Sequence, residues 1–139
     1  MPIDKIIMLL MVEDWFADDL HYNSCGKSFY EKHLLADRIR DFGSAVDDLK
    51  ECYYLGFLKS TPPPDATFAA EAIKTYDDIN NSINPVLDKL ESVLSKICSI
   101  IEDLKNENKN LPSGVVAILD GISQKALTYR FLVSSEAAE

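Results

Sequence analysis

The chain is poor in the residues that interrupt helices: its 139 residues include five glycines and six prolines. Three of the prolines are consecutive, Pro62 to Pro64. Glycine and proline cost a helix interior about 1 and 3 kcal/mol respectively, so their scarcity leaves long stretches free to be helical. Cysteine is scarce as well. Cys25, Cys52 and Cys98 are odd in number and share no paired spacing, which argues against a disulfide framework or a zinc knuckle and fits a reducing cytoplasm. Basic residues number 14 against 23 acidic ones, a formal charge of −9. That balance opposes DNA binding, which rests on Lys and Arg neutralising phosphates. It suits attraction of cations, or simply solubility. Long apolar runs are missing too. Ile6–Val12 is the nearest to one, and it falls far short of the ~20 residues that span a bilayer. Asp4 precedes this run, Glu13 and Asp14 close it, and no small-residue cleavage site follows, so it reads as part of a buried helix rather than a signal peptide. The scarcest group of all is imidazole: His21 and His33 are the whole supply, and both lie in "LHYNSCGKSFYEKHLLAD".

What is present describes an ordinary soluble globule, 47% hydrophobic and 27% charged, long enough for one domain over residues 1–139 with a real core. A first helix is predicted from about Ile3 to Asn23, with Ile6, Leu9, Leu10, Trp15, Phe16 and Leu20 at roughly helical spacing. Asn23, Ser24 and Gly26 end it, Gly26 being suited to a left-handed cap or the turn beyond one. A second helix begins near Lys27 or Ser28 and carries Phe29, Leu35, Ile39, Phe42, Val46, Leu49 and Tyr53, with Gly56 as its stop. "KSTPPPDAT" is a rigid connector, and "FAAEAIKTYDDI" a shorter helix across it. The stretch from Asn84 to Asn110 has the cleanest amphipathic pattern: Val86, Leu87, Leu90, Val93, Leu94, Ile97, Ile101 and Leu104. A last helix carries Val116, Leu119, Ile122, Leu127, Phe131 and Leu132. Four main helices with one long connection between the second and third predict an all-α four-helix bundle with a crossover and a short extra helix in that connection.

His33 and Asp37 stand four residues apart and so share a helix face. Imidazole and carboxylate together suit first-row ions such as iron or zinc. His21 lies across the Gly26 turn and must come from the preceding helix. Asp47 and Glu51 form a second pair at the same spacing. At roughly 100° per residue, His33, Asp37, Asp47 and Glu51 fall within one stripe of about 80°. Asp37 and Asp47 are nevertheless ~15 Å apart along the axis, too far to share an ion within one chain. An antiparallel second copy, related by a two-fold axis at residue 42, sets His33 opposite Glu51 and Asp37 opposite Asp47. A solvated acidic face is the competing account of the same residues. The Glu-x-x-His motifs of the familiar intrasubunit di-iron site do not occur.

The run His21-Tyr22-Asn23-x-x-Gly26-x-x-Phe29-x-x-x-His33-x-x-x-Asp37 resembles the signature of the Dps family, ferritin-like mini-shells named as DNA-binding proteins from starved cells. "VDDLKE", residues 46–51, resembles the second acidic element of that family, and "LPSGVVAILDGISQKALTYRFL" is similar, more loosely, to its last helix. The resemblance implies a ferritin-like four-helix subunit in a hollow, homo-oligomeric twelve-subunit shell. It also implies oxidation of Fe(II), preferentially by hydrogen peroxide rather than O2, with the ferric mineral stored inside. Metal ligands would be His21, His33 and Asp37 from one subunit and Asp47 and Glu51 from its neighbour across a two-fold interface. The segment between Asp37 and Asp47 is one residue shorter than the family's usual. Counting without a gap selects Asp48 and Cys52 instead, so Asp48 stands as the register alternative. Tyr22 takes the place of the family's usual Trp; it either packs or, with Trp15, quenches oxidising equivalents near the iron. Neither "MPIDK" nor "VSSEAAE" supplies the Lys-rich arm with which some members bind DNA. A ferritin-like structural or interaction shell with a degenerate iron site is the alternative reading.

Overall fold

The structure is a computed structural model and describes residues 2–26, 29–40 and 42–138. Among them the secondary structure is helical throughout: α1 (Pro2–Asn23), α2 (Phe29–Ile39), α3 (Gly43–Leu49), α4 (Asp65–Ser82), α5 (Val86–Glu107) and α6 (Ser113–Ala137). A π-helix, Lys50–Leu58, continues α3 without a gap. α1 packs on α5, α5 on α6, α6 on α2 and α3, and these return to α1, which closes a four-membered bundle. α4 lies against α1 from outside this ring. α1 and α5 run antiparallel, since Leu20 and Asn23 lie by Val86 and Leu87 while Pro2 and Lys5 lie by Leu104 and Glu107.

The apolar pattern of α5 goes inward as its spacing predicts: Leu87, Leu90, Val93, Leu94, Ile97, Ile101 and Leu104 are all buried. α1 is covered on three sides, by α2, α4 and α5, which is why Ile6, Ile7, Leu9, Leu10 and Val12 are buried almost without a polar face between them. The apolar run in this helix belongs to the core. Pro62–Pro64 lead in an extended connector to α4, which is longer at both ends than the pattern predicts and buries Phe68, Ala72 and Ile79.

Three expectations need correction. The second helix is not continuous: α2 ends at Ile39 and α3 begins at Gly43, with the fully buried Phe42 between them, edge-on to Tyr129. Gly56 is not its stop either, because the π-helix runs through it to Leu58 and ends at Lys59, in the left-handed region with φ +54°. The start proposed at Lys27 or Ser28 lies outside the described residues. In α6 the inward frame is Val115, Leu119, Ile122, Ala126, Tyr129 and Val133. Leu127 stands one residue beyond Ala126, about 100° round the helix, and Phe131 two beyond Tyr129, about 200° round; they are 54% and 68% exposed.

Glu13 is the sole charged side chain in the core among the described residues. Neither of its oxygens has a hydrogen bond of normal geometry. Burial pushes its carboxyl well above the ordinary range, and the carboxyls of Asp14 and then Asp18 push the same way. Because the folded state holds this proton more tightly than the unfolded chain, the stabilising effect is complete below the ordinary carboxylate range and fades as pH rises. Glu13→Gln is expected to unfold at higher denaturant than the parent at pH 8, by roughly 1–3 kcal/mol, and to match it near pH 5. Unfolding followed by circular dichroism at both pH values checks this; a variant weaker at pH 8 would show a favourable carboxylate contact instead.

Candidate metal centre

The C-terminal turn of α1 and the body of α2 meet across residues 24–28. Gly26 takes φ +87°, where residues with a side chain are strained, and this reverses the chain. The Asn23 amide donates to the Asp19 carbonyl at 3.0 Å and the Ser24 hydroxyl to the Leu20 carbonyl, closing the end of α1. Leu20 from α1 and Ala36 and Ile39 from α2 are buried, seating the two helices together. His21 is therefore delivered beside the face of α2 that carries His33 and Asp37.

The three sequence-predicted ligands on either side of this turn converge. His21 Nδ1 lies 3.0 Å from Asp37 Oδ1, and His33 Nε2 lies 4.0 Å from Asp37 Oδ2. The imidazole rings are tilted 30° with centroids 4.0 Å apart. One ligand atom from each residue falls within 4.8 Å of the other two. Ligand atoms at ~2.0–2.2 Å from one ion are about 3–4 Å from each other, so small side-chain rotations suffice to coordinate a cation. The donor set has a further mark of such a site. His21 Nδ1, although close to Asp37, lacks hydrogen-bond geometry, and the buried His33 Nδ1 has no hydrogen-bond partner either. Buried polar atoms are ordinarily satisfied, so the unsatisfied His21 Nδ1 beside the Asp37 carboxylate fits a group that takes lone pairs.

Aromatic rings flank the imidazoles. Phe29 is tilted against His33 at 5.6 Å, and Tyr22 sits edge-on to His21 at 4.7 Å. Phe29 is thus not a core residue, as its place in the pattern predicts, but a half-exposed wall of this cluster. Trp15, six residues earlier and ~9 Å along α1, faces α4 and packs edge-on to Tyr76 at 6.0 Å. Tyr76 stacks on Phe16 at 4.5 Å, and its hydroxyl donates to Asp19 Oδ2 at 2.5 Å. Burial and the bond to Asp19 push the Tyr76 phenol up to about 12.

Sequence reasoning overlooked Arg40 and Asp18. The Arg40 guanidinium donates to Asp37 Oδ1 at 2.8 Å and to Asp18 Oδ1 at 2.9 Å. Asp18 chiefly, with Tyr22 and Asp37 adding, holds the guanidinium even more firmly protonated than usual. The three-residue step from Asp37 to Arg40 on one helix face was the available signal for half of this bridge; the Asp18 half needed the folded chain.

Asp47 and Asp48 on α3 and Glu51 on the π-helix are exposed, and none joins the His21–His33–Asp37 group within the chain. The stripe that aligned them with His33 assumed one unbroken α-helix, and the break at Arg40–Phe42 removes that assumption. The cysteines are free: Cys25 exposed, Cys52 half-buried, Cys98 buried.

Removing one donor is expected to weaken Co(II) binding by more than the roughly tenfold loss typical of an outer-shell partner, for His21→Ala, His33→Ala and Asp37→Asn alike. Isothermal titration and visible absorption check this; unchanged affinity in all three would place the ion elsewhere. Compared with known proteins, the chain matches no family model, and neither curated proteins nor solved structures give a significant match.

Proposed function

We propose that this chain is a Dps-like ferroxidase and iron-storage protein. The observation that carries the reading is the convergence of His21, His33 and Asp37 across the Gly26 turn, in a chain with no other histidine. Fe(II) is the substrate. Two imidazole nitrogens and one carboxylate hold it, and the acidic surface, at a formal −9, concentrates it near the protein. The donor set is incomplete within one chain, and the missing carboxylates come from Asp47 and Glu51 of a second copy, or from Asp48 in the alternative register. Exposed Tyr30 and Leu34 on α2, and exposed Leu127 and Phe131 on α6, which packs on α2, supply apolar surface for that association. The homo-oligomer extends, on this reading, to a twelve-subunit shell of ferritin-like bundles.

In the reaction two Fe(II) ions each give one electron to hydrogen peroxide, whose O–O bond breaks as two protons are taken up and two waters form. O2 serves as the slower oxidant. Pairing the electrons avoids hydroxyl radical, and the Fe(III) passes inward as mineral, so storage also protects against oxidative damage. On this reading Tyr22, unless it simply packs, and Trp15 absorb stray oxidising equivalents. DNA binding has no support from the charge. Three free cysteines fit a reducing cytoplasm, and among the described residues no helix is long and apolar enough to cross a membrane.

One observation favours a second reading, a ferritin-like structural or interaction shell whose iron site has degenerated. The helix break at Arg40–Phe42 lies between the two halves of the site. Anaerobic Fe(II)-loaded protein mixed with peroxide separates the two. Ferric absorbance should rise faster than in a protein-free control, and His33→Ala and Glu51→Ala should each slow it by at least about tenfold. A rate equal to the control removes the enzyme and leaves the shell. Native mass spectrometry should show multiples of the chain, and monomers alone would contradict the shared site.

A further inference from the structure

Arg40 stands where a metal ion would draw on the same charge. Its Nη2 lies 2.8 Å from Asp37 Oδ1, the oxygen that also faces His21 Nδ1 at 3.0 Å. Its Nη1 lies 2.9 Å from Asp18 Oδ1, on the other helix. One planar guanidinium thus bridges a candidate metal ligand to a carboxylate outside the ligand set. We propose that Arg40 is a cation latch on the metal centre. It holds Asp37 against His21 until a divalent ion arrives, then releases Asp37 Oδ1 and stays on Asp18. The inference rests on the metal-centre reading above and deepens it.

The physical argument is one of exchange. A guanidinium, always charged, pairs with the Asp37 carboxylate and fixes its position beside His21. Its two nitrogens serve two carboxylates at once. When a doubly charged ion binds Asp37, repulsion between like charges a few ångströms apart disfavours the bridge, since unit charges at 4 Å already interact strongly at the dielectric of a protein surface. Asp18 makes release inexpensive, because the guanidinium keeps one of its two charge-assisted bonds. Without Asp18, Arg40 would have Asp37 as its only carboxylate partner and would compete harder with the metal. The latch therefore both preorganises the ligand and sets a threshold that the incoming ion must overcome. Arg40 acts through Asp37 and so is a positioning residue.

Opposite signs in two variants test this. Arg40→Gln removes the competing charge and should bind Co(II) about tenfold more tightly than the parent chain. Arg38→Gln, an equal loss of charge at an exposed position two residues earlier, should stay within about twofold. Asp18→Asn should weaken Co(II) binding severalfold in the parent yet change it little once Arg40 is already Gln, a non-additivity that pure long-range charge would not give. Full-length proteins are titrated calorimetrically and by the visible spectrum of bound Co(II), after thermal melts establish that each folds; Arg40→Met replaces Arg40→Gln if that variant fails to fold. An Arg40→Gln affinity no tighter than that of Arg38→Gln overturns the latch and leaves the metal centre standing. So does an Asp18→Asn effect of equal size with and without Arg40. Absence of Co(II) binding in the parent and every variant overturns the metal centre and the latch together.

Discussion

The carboxylate of Asp37 is the joint on which the rest of this molecule turns. It faces His21 from α1, His33 from its own helix, and the guanidinium that also grips Asp18 on α1. Each of these contacts requires α1 and α2 to lie antiparallel at close range. That in turn requires a chain reversal at Gly26 and small or apolar contacts such as Leu20 and Ala36 at the seam. Such partly exposed ion pairs add little to stability by themselves. Their consequence is positional: they fix which side chains face one another at the end of a bundle already held by its core.

The bundle core supplies the rigidity, and it does so unevenly. α1, α5 and α6 bury continuous apolar frames. The fourth arm is assembled from α2, a turn, α3 and a π-helix. π-helical turns are rare and concentrate at functional sites; here one keeps the adjacent Tyr53 and Tyr54 both buried. Asp47, Asp48 and Glu51, expected to supply the second half of the candidate centre, lie on α3 and the π-helix of this arm, whereas His33 and Asp37 lie on its α2 and His21 on α1. The His21–His33–Asp37 cluster therefore stands on α-helix on both sides of the Gly26 turn.

The legibility of the fold follows the same line. α5 was readable because its inward residues recur at three and four with polar residues between them. The break after Ile39 was not, because periodicity reports which side chains face inward and is blind to whether the backbone ladder is continuous. Ile39, Phe42, Leu49 and Tyr53 are all buried, as an unbroken helix would have it, yet the helix between them is interrupted. In α6 the pattern was ambiguous because Leu127 and Phe131 offer a second apolar frame, and only packing against α5 selects Val115, Leu119, Ile122, Ala126, Tyr129 and Val133. At the candidate metal centre, His33 with Asp37 was legible from a four-residue step, and His21 from its place across a glycine turn. Arg40 with Asp18 was not, since twenty-two positions separate them and only the folded seam brings them to 2.9 Å.

The central claim is that His21, His33 and Asp37 hold a transition-metal ion that carboxylates of a second copy complete. Anomalous diffraction at the iron edge, from crystals loaded with Fe(II) without oxygen, tests it most directly. The account predicts a peak within ligand distance of His21, His33 and Asp37, with Asp47, Asp48 or Glu51 of a two-fold-related copy on its far side. A peak elsewhere, or the same three residues still paired with Arg40 and no metal between them, would contradict it.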